Sequence, residues 1–374
     1  MKHLTAIALG LATLAAAPSN AQNRPEGLAA LGPPPIPADN AMTPEKIALG
    51  EKLFFDPILS GNNAMPCSAC HLPDAGWAVQ DKISFGYPGT THWRNSQTIV
   101  NSAYYGKLFW AGSSGSLEHQ ARSAARGGVA GNGEDDMMEA RLAFVPEYRA
   151  AFADVFGDDW PNIRHAYMAI AAYQRTIVQT DTPFDNYMNG DDAALDEAQK
   201  RGLDLFSGKA GCISCHNGAL LSDEQYYNVG VPPFDGWEDD PIAQITFRFE
   251  LLAKGSTEEM YRTTKDDPGL YFRTKQKSDK GKFRTPSLRY TKYTFPYMHN
   301  GMLETLEDVV AFYNAGGGEN EFADNKSDLI QPLGLSDPEM RDLVAFLESL
   351  SGDEILPDAP DLPEMEPLPL AANN

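Results

Sequence analysis

Two copies of one five-residue motif constrain this chain more than any other feature. CSACH runs from Cys67 to His71 and CISCH from Cys212 to His216, and together they use all four cysteines of the 374-residue sequence. Two thiols three residues apart can form thioethers to the two vinyl groups of one haem. The histidine that follows then falls beneath the iron as proximal ligand. Two other readings compete. Four cysteines in an exported chain read by default as two disulfides, and four thiolates make a zinc site. Neither explains a histidine directly after each pair. The expectation is two covalently bound haem c groups, attached through Cys67, Cys70, Cys212 and Cys215, with His71 and His216 on the irons.

Haem attachment of this kind belongs outside the cytoplasm, and the N-terminus agrees. Residues 1–21, MKHLTAIALGLATLAAAPSNA, place Lys2 before an apolar run from Leu4 to Ala17 and end in small residues, the pattern of a secretory signal peptide. The apolar run is too short for a membrane span, and no other segment is long and apolar enough for one. The expected location is a bacterial periplasm. The formal charge of −22 excludes an ordinary nucleic-acid binder, which needs clustered Lys and Arg. Such acidity suits a basic protein partner, and equally it suits plain solubility.

Helical patterns organise the rest around the two motifs. Residues 22–40 are a Pro-rich, extended lead-in. Thr43 and Pro44 read as the N-cap and first turn of a helix over TPEKIALGEKLFFD. Ile163, Tyr167, Ile170, Ala171, Gln174 and Ile177 share a face of a long helix. LDEAQKRGLDLFSG is a helix leading into the second motif, as TPEKIALGEKLFFD leads into the first. Thr305 to Asp308 resembles a capping box, and Ser336 to Glu339 opens a further helix closed near Gly352. Residues 254–282 lack a period and read as loop, and strand signals amount to short loop pairings. The fold class expected is mainly α, two tandem cytochrome c-like haem domains with long loops. The first spans 41–185, the second 186–352, and a disordered acidic, Pro-rich tail follows over 353–374.

The stretches LGEKLFFDPILSGNNAMPCSACHLPDAGWA, KLFWAGSSGSLEHQA, AIAAYQRTI, GKAGCISCHNGALLSD and KFRTPSLRYTKYTFPYMHNGMLETLEDVVAFYN together resemble, in this order, the bacterial di-haem cytochrome c peroxidase family. The resemblance covers roughly residues 43–352. It implies a peroxidatic haem on His71, which meets hydrogen peroxide, and a six-coordinate electron-transfer haem on His216. Trp110 matches a tryptophan that relays oxidising equivalents between the haems. Asn95, Thr294 and Pro296 match positions that hold an inter-haem calcium ion through oxygen atoms. Gln120 matches a glutamine of the first haem's distal pocket.

The sixth ligand of the second haem separates the family's branches. Ordinary members carry Met fourteen residues after the His of a Y-x-H-x-G stretch; here that His is His299 and the position is Tyr313. The MauG-like branch has Tyr there, so Tyr313 is the expected iron ligand, with Met298 or Met302 as rivals. A phenolate favours ferric and higher states where a thioether favours ferrous iron. The resemblance therefore implies peroxide-driven oxidation of a protein or peptide substrate through a high-valent di-haem state. The alternatives are peroxide reduction by electrons from a small cytochrome c or cupredoxin, and pure electron transfer without peroxide chemistry. One departure stands out. Where the family usually shows Asn-Pro-x-Glu-Met, this chain reads ARSAARGGVAGNGEDDMMEARL, leaving Glu134, with Asp135 and Asp136 beside it, as the candidate distal acid. Among the other histidines, His92 lies in the loop that supplies a removable distal His in the family, at a different spacing. His165 reads as a packing residue of its helix, and His119 carries no assignment.

Overall fold

The computed structural model describes residues 24–364, so the signal peptide expected at 1–21 and the last ten residues lie outside the described region. Helices dominate. α1 (Pro44–Phe55) starts at Thr43, whose hydroxyl accepts the Lys46 amide, with Pro44 in the first turn. α2 (Leu117–Arg126), α3 (Asp135–Phe144), α4 (Pro146–Phe156) and α5 (Ile163–Gln174) follow. Next come α6 (Pro183–Met188) and α7 (Glu197–Ser207), the latter opened by a capping box between Asp196 and Gln199. β1 (Tyr226–Tyr227) pairs antiparallel with β2 (Phe283–Arg284), the one two-stranded pairing of the described residues. Between these strands lie α8 (Pro241–Ala253), α9 (Glu258–Thr263) and α10 (Tyr271–Thr274). α11 (Leu306–Asn314) carries the capping box of Thr305 and Asp308, and α12 (Asp337–Ser349) that of Ser336 and Glu339. Among the described residues no helix is long and apolar enough to cross a membrane.

The two halves repeat one helix crossing. On α1, Gly50 lies so close to α5 that a Cβ would stand 1.9 Å from the Ala169 carbonyl oxygen. One turn later Phe54 packs on Tyr173, their ring centroids 5.5 Å apart. On α7, a Cβ at Gly202 would stand 2.0 Å from the Asp342 carbonyl oxygen of α12, and one turn later Phe206 packs on Phe346 at 5.0 Å. In each half a Gly-x-x-x-Phe helix meets a partner helix through residues four apart, 169 with 173 and 342 with 346. Backbone approach at glycine and an aromatic plug above it set both crossings.

The two hydrophobic cores borrow across the chain. The first, built on α1, α3, α4 and α5, takes in Tyr290, with Tyr293 and Ile355 packed against it. The second, built on α6, α7, α11 and α12, takes in Leu28 from the lead-in. That lead-in carries no helix over residues 24–40 and is anchored at both ends. Leu28 bridges to Gly218, and Asn40 donates to Glu118 and to the Met168 carbonyl. The chain beyond Gly352, expected to lack order, starts out tied down: Trp77 Nε1 donates to the Ile355 carbonyl at 2.9 Å, and the Ile355 amide donates to Tyr290 Oη at 2.7 Å. Residues 356–364 have no regular element.

The expectation of loop over 254–282 is corrected. α9 is capped by Thr257, whose hydroxyl accepts the Met260 amide, and α10 adds one further turn. Met260, Tyr271 and Phe272 join Trp237, Phe247 and Leu251 in a third apolar cluster. These helices are ordered by packing on α8 rather than by any helical period of their own.

Candidate functional site

A cavity of about 890 Å³ runs between the two halves, and both C-x-x-C-H turns open onto it. Each turn is a single 3-10 turn, with the His amide bonded back to the first Cys carbonyl: His71 to Cys67 at 3.1 Å and His216 to Cys212 at 2.9 Å. In both, the imidazole Nδ1 faces a backbone carbonyl, Trp77 at 3.1 Å for His71 and Leu221 at 3.0 Å for His216. A carbonyl only accepts, so Nδ1 carries the proton and Nε2 keeps its lone pair. Burial pushes both histidines below their ordinary pKa, so they stand neutral. A neutral, oriented imidazole is what an iron ligand requires.

The thiols fit the same group. All four cysteines are free, which removes the two-disulfide reading. Burial pushes Cys67 up to about 12, Cys70 up to about 11 and Cys212 up to about 12, and raises Cys215 as well. They are thiols in this structure, the form that adds to a haem vinyl group. No cluster of three or more His, Cys, Asp or Glu side chains that could hold a metal ion occurs among the described residues. The cavity itself argues for large apolar occupants. Its wall is mostly apolar, with a few polar side chains such as Gln120, Asn95 and His92 among them, as the binding cleft of a large apolar ligand is. Two planar tetrapyrroles, thioether-linked at the turns, match the lining.

Trp110, Gln120, Asn95, Thr294, Pro296, Met298, His299 and Tyr313 also line this one cavity, so most of the expected site residues come together. Trp110 is tied to both halves: its Nε1 donates to the Asn95 carbonyl at 2.8 Å, and its own carbonyl accepts the Arg284 amide at 2.9 Å. Asn95 donates its side-chain NH₂ to the Asp81 carbonyl at 3.0 Å, which leaves Oδ1 as its acceptor. Tyr313 is half-buried, and its phenol is pushed up by desolvation and by the nearby Cys212 and Cys215. Met302 is absent from the cavity wall.

Glu134 is not there, and the expectation is corrected. Its side chain is 72% exposed and faces Arg126 at 3.7 Å, at the N-terminus of α3. Asp135 pairs with Arg122 and Arg126 and accepts the Tyr167 hydroxyl, and neither it nor Asp136 reaches the cavity. The α2–α3 loop instead turns residues 127–131, Gly-Gly-Val-Ala-Gly, to the cavity. Three carboxylates drawn to basic α2 side chains and to water leave that wall without an acid.

His92 does line the cavity. Its ring stacks on Trp93, with centroids 4.2 Å apart, and Nδ1 accepts the Arg94 amide at 3.1 Å. Burial first, then Arg94, push it down to about 3, so it is a neutral imidazole whose proton sits on Nε2. His165 packs on Phe156 and bonds Asp158, as a packing residue does, and His119 bonds Ser114.

Sequence reasoning missed the network behind His299. Arg94 holds Asp267 through two bonds, of 2.5 and 3.0 Å, both side chains nearly buried. Asp267 and Arg94 act electrostatically on His299, whose ring stacks on Phe283 at 3.8 Å. Nothing local marks a pairing that spans 173 residues.

A helical fold in which two C-x-x-C-H turns open on one apolar cavity defines a di-haem c-type oxidoreductase. The chain belongs to the di-haem cytochrome c peroxidase family: residues 44–193 match that family, and homologues agree along nearly the whole length. The cytochrome-c peroxidase IdrP1 of Denitromonas iodatirespirans is 56% identical, covering 98% of this chain and 99% of its own. The methylamine utilization protein MauG of Methylorubrum extorquens is 34% identical over 88% of this chain and 84% of its own. Among solved structures, a MauG-like protein associated with microbial copper homeostasis superposes with a TM-score of 0.73 at 31% identity, over 88% of this chain and 95% of that one.

Proposed function

We propose that the protein is a periplasmic di-haem peroxidase that uses hydrogen peroxide to oxidise a protein or peptide partner, in the manner of the MauG-like branch. Residues 41–185 and 186–352 would be its two haem domains. The observation that carries this reading is Tyr313, half-buried in the same cavity wall as Cys212, Cys215 and His216. Met298 shares the cavity and is the rival ligand.

Cys67 and Cys70 would hold the first haem over His71, and Cys212 and Cys215 the second over His216. When bound, the haems supply the two-electron reduction of peroxide and a store for the oxidising equivalents. The chain does the rest. The Trp77 and Leu221 carbonyls orient the two imidazoles and raise their donor strength. Gln120 offers its amide to peroxide from α2. With no carboxylate on the residue 127–131 wall, the His92 Nε2–H, which also lines the cavity, would join Gln120 in orienting peroxide, as a hydrogen-bond donor rather than as an acid. Tyr313, a phenol here, would give up its proton if it held the second haem's iron, and as a phenolate it would favour the oxidised states. Trp110, bonded to both halves, would carry electrons between the haems. Asn95 Oδ1 with the Thr294 and Pro296 carbonyls would form a hard oxygen site for calcium beside it.

A second reading is favoured by the name of the relative at 56% identity: peroxide reduction with electrons from a small cytochrome c or cupredoxin. The ferric EPR spectrum and the Tyr313→Met variant separate the two. The first reading expects one high-spin and one low-spin haem without a Met–iron charge-transfer band. It also expects an oxidised spectrum, after one equivalent of peroxide, that decays at least about tenfold faster in Tyr313→Met. An unchanged lifetime, or two low-spin His/Met haems, would overturn it.

A further inference from the structure

α8 is apolar on both sides. Ala243, Thr246, Phe247 and Leu251 face inward, yet Ile242, Ile245, Phe249 and Leu252 stand 44%, 69%, 57% and 65% exposed. Their spacing of three and four residues puts those four side chains in one uncharged stripe. A helix apolar all round is ordinarily covered, and a contiguous exposed stripe of this kind marks an interaction surface.

The surroundings of the stripe say what covers it. Residues 241–284 hold ten lysines and arginines against six acids, in a chain whose formal charge is −22. Lys254, Arg262, Lys265 and Lys282 are neutralised by Glu250, Glu258, Glu238 and Asp279. Arg273, Lys275, Lys277 and Lys280 of the α10 segment form no ion pair among the described residues. Lys275 feels the charges of Lys254 and Glu250, so this basic strip borders the C-terminal end of α8. The lobe also abuts the cavity: Phe249, Glu250 and Lys254 line it, and Arg273 donates to the carbonyls of Ala111, at 2.9 Å, and Gly112, just after Trp110.

We propose that residues 241–284 form the docking site for a protein partner with an acidic rim around an apolar patch, which seats on the α8 stripe against the α10 basic strip. This rests on the reading that the enzyme exchanges electrons with a protein. It reverses the basic partner that the net charge alone favours, because the unpaired cations of the α10 strip stand at the C-terminal end of the stripe, while charges more than a Debye length of about 8 Å away are screened. Two other occupants fit less well. A second copy docked by two-fold symmetry would bring basic strip to basic strip. An anionic membrane is an extended plane that meets the acidic remainder of the molecule, whereas a small protein covers only about 800 Å².

The test titrates the full-length holoenzyme with an acidic cupredoxin and with a basic cytochrome c of similar size, by calorimetry at physiological salt. The acidic probe is expected to bind at least about tenfold more tightly than the basic one. Lys275→Glu/Lys277→Glu and, separately, Ile245→Ser/Leu252→Ser should each weaken it at least about tenfold, with the Soret spectrum and the peroxide reaction unchanged. Tighter binding of the basic probe, or variants that leave the Kd where it was, would overturn the proposal. So would a dimer that the Ile245→Ser/Leu252→Ser variant splits, or binding to phosphatidylglycerol vesicles that the same variant abolishes. Absent peroxide reactivity with intact, variant-sensitive binding would instead overturn the proposed function and leave the docking site standing.

Discussion

Asp266 is a carboxyl in the wrong surroundings. It is buried, accepts the Glu321 amide at 2.6 Å, and has Glu321 and Asp267 as acidic neighbours. Burial first, then those neighbours, push it from 3.8 up to about 6. A raised carboxyl holds its proton longer in the folded state, so its contribution to stability is complete below about 4, falls as pH rises, and is gone above about 6. Asp266→Asn keeps the acceptor without the charge. The variant should therefore match the wild type at pH 4 and exceed it at pH 7 by roughly 1–3 kcal/mol, seen as melting curves that diverge between those values. Parallel curves would refute the assignment. The contrast with Asp267 one residue on is instructive: two bonds from Arg94 hold its carboxyl below the usual range although it is buried too. Adjacent identical letters acquire opposite titration behaviour from partners far away in sequence. Glu134 fails as a distal acid for the same reason, since α2 arginines and solvent decide where it points.

At the scale of elements, the α7–α12 crossing depends on the missing side chain of Gly202. A methyl group there would meet the Asp342 carbonyl and the Phe346 Cβ, both backbone-bound and unable to yield. Gly202→Ala is expected to destabilise the second half by about 2–4 kcal/mol despite the better helix propensity of Ala, lowering the Tm followed by far-ultraviolet dichroism. A gain in Tm would show that α7 can slide away from α12. The helices themselves were readable from their caps: Thr43, the Thr305–Asp308 pair and the Ser336–Glu339 pair all act where the sequence places them. Caps are local hydrogen bonds and so survive any tertiary context. α9 and α10 were not readable, because packing on α8, not a helical period, holds them.

In the molecule as a whole, Arg289 and Asp185 form the buried joint on which several segments meet. Arg289 Nη1 bonds Asp185 Oδ2 at 2.8 Å, Nε bonds the Ala219 carbonyl at 2.6 Å beside the second motif, and Nη2 reaches the Ala29 carbonyl at 3.2 Å in the lead-in. Asp185 also accepts the Leu31 amide at 3.0 Å. Arg289→Met would strand a buried carboxylate and is expected to cost about 3–5 kcal/mol, with earlier urea unfolding of the second half and protease cleavage within residues 24–40. Unaltered unfolding would mean that the pair adds no net stability. Much about this protein is encoded in contiguous residues: the two C-x-x-C-H turns, the helix caps, the helix-free lead-in and the family to which they belong. All of these depend on groups within a few residues of one another, whose geometry the covalent chain imposes. Long-range packing settled the rest: the single cavity shared by both motifs, the exclusion of Glu134 from it, the Arg94–Asp267 pair behind His299, and the basic lobe on an acidic chain. Each of those requires knowing which distant residues become neighbours, and burial, charge pairing and exposure have no value until the chain has closed on itself.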